Sequence, residues 1–345
     1  MKNFVKMSKY AGMREDLVQA GGGNSAFKIS PDRMAIKASG YQLADLTVGG
    51  GYAIVNPQII RDAFFNDAVL DSMTDEVAEK ILSDAWIEGD RPSIETFLHS
   101  ISGRYSLHTH PIVVNALTCR TDGKEVIKEL FPKALVVDYA TPGASLAKAY
   151  FLAYKAYKRQ YKEEPKFVFL MNHGFITSAD TADEVIELTE YVTKRIEDYL
   201  KIDYSEYHIM NQLLELYNDG IIWKVTDQNV LKSCETIGNI WEHCFCPDSV
   251  VFLGFKMYEM KDGIIDKLKF SAFVEEYGFP VVISYNNYMY LHASSVKKAM
   301  EIQSVLSFNA QVMAINCGND CHFLSVKEKN FLLNWDAEKY RKDLK

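Results

Sequence analysis

The sequence has no long hydrophobic run. Its strongest apolar stretches, ALVV at 134–137 and FVFLM at 167–171, fall far short of the roughly 20 residues that a membrane helix needs. It has no basic block either, and its net charge is −8, which argues against a nucleic-acid-binding surface. The opening MKNFVKMSKYAGMRED lacks an apolar core and acquires charge early, so no secretory signal is expected. Cysteine is sparse. Six residues without Cys-x-x-Cys spacing read as reduced thiols of a cytoplasmic protein. Cys244 and Cys246 beside His243, and Cys317 and Cys321 beside His322, are read as buried thiols rather than as a zinc site. Internal repeats, low-complexity segments, the P-loop and the dinucleotide-binding fingerprint are all missing.

What remains is an ordinary globular composition. Hydrophobic residues make up 48% and charged residues 24% of 345, enough for a large buried core and for two domains. The first half alternates between strands and helices. A helix is expected over 4–20, strands over 25–29, 33–38 and 51–55, and a helix over 74–84. Ser93 is placed to cap a helix running to 101, with Glu95 in its first turn. A strand over 104–110, a helix opening at Pro111, a strand over 135–139 and a helix over 144–161 follow. KFVFLMNH then reads as a strand and 180–202 as a long amphipathic helix. Residues 205–247 read as a helical connection to a smaller α+β unit, with strands at 249–258 and 280–291 and helices at 294–309 and 326–342. The expected domains are therefore 1–204 and 205–345. In the second, His292 and His322 read as ordinary partly buried histidines, and Tyr288 and Tyr290 as core.

One stretch, SLHTHPIVVNA at 106–116, places two histidines two residues apart before a proline. On a helix such positions lie about 200° apart around the axis and cannot share a ligand. On a strand they face the same way with Cα atoms roughly 6.6 Å apart, a separation that suits two imidazoles converging on one metal ion. His108 and His110 therefore read as a metal-binding pair at a strand end. His173 ends the other strongly apolar strand, and Gly174 after it leaves room for a sharp turn and a close approach. Three protein ligands with open positions form a catalytic pattern of zinc, although another divalent metal is compatible.

Glu95 sits just before the His-x-His strand. It is either an acid favourably placed at a helix N-terminus or a base near the metal. Three neutral imidazoles would leave the ion its full charge, suited to stabilising a developing enediolate. GGGNS at 21–25 is either a tight turn or an anion cradle in which Asn24 and Ser25 donate, with Lys28 following on the same segment. Lys37, Ser39 and Gly40 offer a similar strand-to-turn setting.

In order and spacing, GGGNSAFK, IKASG, PSIETFLH, LHTHP, DYATPGASLAK and NHGFITSADTADE resemble the class II aldolase/adducin family, over roughly residues 1–204. PDSVVFLG and FLSVKEKNFLLNWDAEKYRKDL extend the likeness to the C-terminal part of the long aldolase module that some members join to an alcohol dehydrogenase. The resemblance implies an αβα fold with a central, mainly antiparallel sheet flanked by helices, and a smaller C-terminal α+β unit. It implies that His108, His110 and His173 bind zinc, that Glu95 is the general acid/base, and that Asn24, Ser39, Gly40 and Ser93 hold a substrate phosphate, with Lys28 added. A homotetramer acting on a sugar phosphate is the implied assembly.

Two departures stand out. Ile94 occupies the middle of Ser93-Ile94-Glu95 where short members have a second serine. The tyrosine that short members use as proton donor has no match, which leaves Tyr139 as the candidate. The expected activity is reversible cleavage of a ketose phosphate. The alternatives are a 4-epimerase or dehydratase on the same scaffold, or an adducin-like binding module.

Overall fold

Twelve strands and fifteen helices occupy the residues that the computed structural model describes, which are 1–217, 219–237, 240–260, 264–286 and 288–334. The chain divides into two units, Met1–Tyr204 and Ser205–Lys345.

In the first unit, eight strands form one sheet: β1 (Asn24–Ser30), β2 (Arg33–Lys37), β3 (Tyr52–Val55), β4 (Trp86–Gly89), β5 (Tyr105–Thr109), β6 (Leu135–Val137), β7 (Phe167–Leu170) and β8 (Gly174–Ala179). Their order is β4-β3-β2-β1-β5-β8-β7-β6, and every neighbouring pair is antiparallel except β6–β7. The helices are α1 (Lys2–Gly12), α2 (Pro57–Phe65), α3 (Asp67–Asp71), α4 (Asp75–Ala85), α5 (Thr96–Ser100), α6 (Ile112–Thr118), α7 (Gly123–Leu130), α8 (Ala144–Tyr161) and α9 (Ala182–Leu200). Phe4, Met7 and Val185 from α1 and α9 pack on Phe27 and Leu107 on one face of the sheet. Phe64, Phe97 and Phe151 from α2, α5 and α8 share the opposite core with Val168, Leu170 and Ile176. The sheet is thus a middle layer, and alternation along β5 sends Leu107 to the α1/α9 face and His108 to the α5/α8 face.

Local chemistry sets the helix starts. The Thr74 side chain caps α4 at Val77 N (3.3 Å) and the Thr181 side chain caps α9 at Glu184 N (3.1 Å), each with two acids in its first turn. The helix expected over 4–20 ends at Gly12 instead. Fully buried Arg14 turns back on itself, with Nε 3.0 Å from Asp16 Oδ1 and Nη2 2.6 Å from Asp16 Oδ2, and it also pairs with Glu190. Residues two apart on a helix could not make that forked contact. Two strands escaped the sequence reading. β4 is a short, exposed edge strand. β8 is buried on both faces, so it lacks the polar–apolar alternation that marks a half-exposed strand.

The second unit holds a four-stranded sheet of β9 (Ile221–Lys224), β10 (Tyr258–Met260), β11 (Val282–Tyr285) and β12 (Tyr288–Ala293), in the order β10-β11-β12-β9. Its helices are α10 (Ser205–Leu214), α11 (Gln228–Ile237), α12 (Pro247–Leu253), α13 (Lys267–Tyr277), α14 (Val296–Ile315) and α15 (Val326–Asn334). Four expectations are corrected. The 205–247 connection contains β9. The run SVVFL, read as a strand from 249, lies in α12, because Pro247 at the first helical position and Asp248 in the first turn favour a helix start. The strand expected over 280–291 is a hairpin that turns at Asn286, whose φ is +50°. Tyr290 is buried and donates to Glu206 O at 2.8 Å, whereas Tyr288, at the hairpin end, is 38% exposed rather than core. The expected helix 326–342 is described as far as Asn334, and the rest lies outside the described residues. Among the described residues no helix is long and apolar enough to cross a membrane.

Candidate metal centre

β5 and the turn between β7 and β8 meet at one end of the large sheet. β5 pairs with β8 so that His108 lies opposite Ile176 and Thr109 opposite Phe175. Asn172 adopts a φ of +53° in the turn that delivers His173. His108, His110 and His173 converge, with a ring nitrogen from each lying within 4.8 Å of the others. The Nε2 atoms of His108 and His110 are 3.0 Å apart. Four ligand atoms set tetrahedrally around zinc at about 2.0–2.1 Å would be roughly 3.3 Å from one another, so this cluster is close to the required spacing.

The donor set also fits. His108 Nδ1 lies 3.1 Å from Phe175 O and must donate to it, which leaves the Nε2 lone pair directed into the cluster. Burial pushes His108 down to about 3, against the pull of Glu95, and lowers His110 together with the neighbouring His173. Neutral imidazoles are the form that binds a cation.

The backbone makes room for these rings. Gly23 has a φ of +68°, and a Cβ there would lie 2.6 Å from His108 O. A Cβ on Gly174 would lie 2.6 Å from Thr109 O, 2.7 Å from His110 Cδ2 and 3.0 Å from His108 Cε1. Gly174→Ala is therefore expected to destabilise the fold by about 1–3 kcal/mol through overpacking and to weaken metal binding by spreading the rings. Thermal melts with and without zinc check this, and parent-like values in both would refute the close fit. From the other side, His110 N donates to Leu17 O and Ile112 N to Asp16 O, both at 2.9 Å. The loop anchored by buried Arg14 thus carries the backbone of His110.

Glu95 completes the centre. Its Oε1 lies 3.4 Å from His173 Nε2 and 3.7 Å from His108 Nε2, and Asn24 Nδ2 donates to its Oε2. Burial alone would raise its pKa. His108 and the hydrogen bonds from His173 and Asn24 outweigh burial and hold it well below the usual carboxylate range. Ser93 does not cap a long helix. Its Oγ accepts from Glu95 N at 3.2 Å at the head of the short α5.

The anion-binding candidates separate. Ala38 bridges to Pro92 and Ser39 N donates to Arg91 O at 2.8 Å, so exposed Ser39 and Gly40 lie beside the segment leading to Ser93. Lys37 Nζ donates to Tyr41 O at 2.6 Å; burial lowers its pKa and nearby Glu95 opposes that. Ser25 points the other way. Strand alternation puts its buried side chain on the α1 face, where its Oγ is 2.7 Å from Ser8 Oγ. Lys28 donates to Ser102 O, and burial lowers it to about 8. Tyr139 follows β6 and is 60% exposed. Two residues went unread in the sequence: Arg91, and His99, which lies four residues after Glu95.

His99 is fully buried, and burial pushes it down to about 4 against Glu95. In metal-free protein the unfolded chain protonates both His99 and His108 near their ordinary 6.5, while the folded rings stay neutral until about 4 and about 3. Their stabilising effect is complete above that ordinary value and declines as pH falls below it, by up to about 1.4 kcal/mol per pH unit for each ring. Urea midpoints should drop steeply between neutral pH and about 4.5. A flat profile would contradict neutral, buried rings.

A mainly antiparallel sheet between helical layers, with three histidines and a carboxylate at one end, defines a class II aldolase fold. The chain belongs to the class II aldolase and adducin N-terminal domain family, whose pattern matches residues 2–200. Among solved structures, it is similar to the N-terminal class II aldolase domain of a conserved protein from Thermoplasma acidophilum. That match has 25% identity and a TM-score of 0.50, over 57% of this chain and 92% of that one. L-fuculose-1-phosphate aldolase from Thermus thermophilus is 19% identical over 61% of this chain and 95% of its own, with a TM-score of 0.38. A sugar-phosphate aldolase from Thermotoga maritima is 13% identical over 58% and 94%, with a TM-score of 0.40. No curated protein sequence matches this chain.

Proposed function

We propose that the chain is a zinc-dependent aldolase that reversibly cleaves a ketose phosphate. The observation that carries this reading is the convergence of His108, His110 and His173 with a carboxylate oxygen 3.4 Å from one of the rings. Bound to those three imidazoles, zinc would supply the positive charge needed where negative charge develops on a hydroxyketone's oxygens. Glu95 takes the proton from the carbon beside the carbonyl in the direction of synthesis and returns it in cleavage. An ionised, partly buried carboxylate with one oxygen held by Asn24 and the other facing the rings suits that role.

In this reading exposed Ser39 and Gly40 and half-buried Ser93 receive the phosphate, with Lys37 and Arg91 contributing positive charge nearby. Asn24 is shared with Glu95, and Lys28 is a more distant support. Tyr139 is the candidate second proton donor. The intact ligand set favours chemistry over a binding module that has lost its metal.

The test is to incubate the zinc-loaded protein with a panel of ketose phosphates and follow triose phosphate release. Release that stops on chelation and returns with zinc is expected. A diastereomer appearing without triose phosphate would mean epimerisation, and no conversion of any ketose phosphate would overturn the reading. Equal cleavage of unphosphorylated ketoses would remove the phosphate pocket but leave the metal chemistry.

A further inference from the structure

Three buried polar groups run in line behind the histidine cluster and end on partly buried Glu95. Ser106 Oγ lies 2.6 Å from His99 Nδ1, His99 Nε2 is hydrogen-bonded to Asn24 Oδ1, and Asn24 Nδ2 donates to Glu95 Oε2. Ser106, His99 and Asn24 are 1%, 0% and 3% exposed, so bulk water does not compete for these bonds. One arrangement of hydrogens satisfies all of them. An ionised carboxylate only accepts, so the amide nitrogen of Asn24 must face Glu95. The amide oxygen also only accepts, so His99 must carry its proton on Nε2. His99 Nδ1 then accepts, and the Ser106 hydroxyl donates. A flipped Asn24 amide would set an oxygen against the carboxylate and would require His99 to carry its proton on Nδ1.

The geometry points to His99 as a positioning residue that locks the Asn24 amide and thereby fixes Glu95 with Oε1 turned toward the three histidines. His99 acts through Asn24. It lies on α5 four residues beyond Glu95, on the same helical face, and Ser106 reaches it from β5, two residues before His108. The strand that carries a metal ligand and the helix that follows the base are thereby tied to one hydrogen-bonded line. This role rests on Glu95 being the group that moves the proton. It also changes the account of Asn24: its amide oxygen and one amide hydrogen are already engaged, leaving one hydrogen for a substrate.

Two measurements test the proposal. Nitrogen-15 spectra of the histidine side chains, recorded on the metal-free and the zinc-loaded protein at neutral pH, should show His99 as a neutral ring protonated on Nε2. A ring protonated on Nδ1, or a charged ring, would overturn the proposal whatever reaction the protein catalyses.

The second measurement is exchange of solvent deuterium into dihydroxyacetone phosphate by the zinc-loaded protein. His99→Leu should lower the turnover of this exchange roughly 10–100-fold, the usual scale for losing an outer partner of a metal site. Bound zinc and the Michaelis constant should stay near parent values. His99→Gln, which can still donate to Asn24 Oδ1, should recover part of the rate. A His99→Leu protein that exchanges at the parent rate, or two variants that lose rate and zinc together, would leave His99 as packing alone. If the parent itself binds zinc but exchanges nothing, the aldolase reading fails, and the spectra still decide the orientation of the Asn24 amide.

Discussion

Replacing His108 with alanine is expected to strip the protein of its metal and abolish turnover. The side chain is completely buried at the centre of the cluster, Nε2 facing its partners and Nδ1 anchored to Phe175 O. Losing an outer-shell partner of a metal ligand typically weakens affinity or activity roughly 10–100-fold, and loss of the ligand itself should exceed that. The truncation also removes the ring's hydrogen bond to Phe175 O and leaves a cavity, so the variant should melt earlier but still fold. Zinc titration of His108→Ala beside the parent checks this, and parent-like affinity would show that the three rings do not act as one site.

The second large effect separates binding from chemistry. Glu95→Gln should keep the metal and the fold yet lose turnover by roughly 10²–10⁴-fold, the range for removing a general acid–base group. The amide can still accept from Asn24 Nδ2 and fills the same space, but it cannot take a proton. The Michaelis constant should move little, since Glu95 lies among the histidines rather than beside Ser39 and Gly40. Steady-state kinetics of the zinc-loaded variant give the answer. Undiminished activity would reduce Glu95 to an acid at the head of α5.

Much of this centre could be read from the chain because strand periodicity is rigid. His108 and His110 two residues apart, ended by Pro111, leave one geometry in which both rings serve one ion, and His173 with Gly174 marks the matching turn. The same periodicity works against Ser25. Once Asn24 points toward Glu95, its neighbour must point toward α1, where Ser8 receives it. Adjacent polar residues in a turn-rich stretch do not announce which of them starts the strand.

Other features depend on tertiary partners that no local pattern shows. Arg14 looks like a helix-surface residue until Asp16 and Glu190 close around it and turn the chain toward His110. β8 is hidden by being covered on both faces. α12 carries β-branched residues that favour a strand, and Pro247 and Asp248 override them. His99 was missed for a different reason: its role exists only through Asn24, which lies 75 positions away in sequence.

The central claim is that three imidazoles hold one catalytic divalent ion. The most direct test is metal analysis of the purified protein combined with X-ray absorption at the metal edge. The account predicts one zinc per chain, with a first shell fitted by three imidazole nitrogens at about 2.0–2.1 Å and a signal that is lost in His108→Ala. Substoichiometric metal that zinc cannot restore, or a shell containing sulfur, would contradict it.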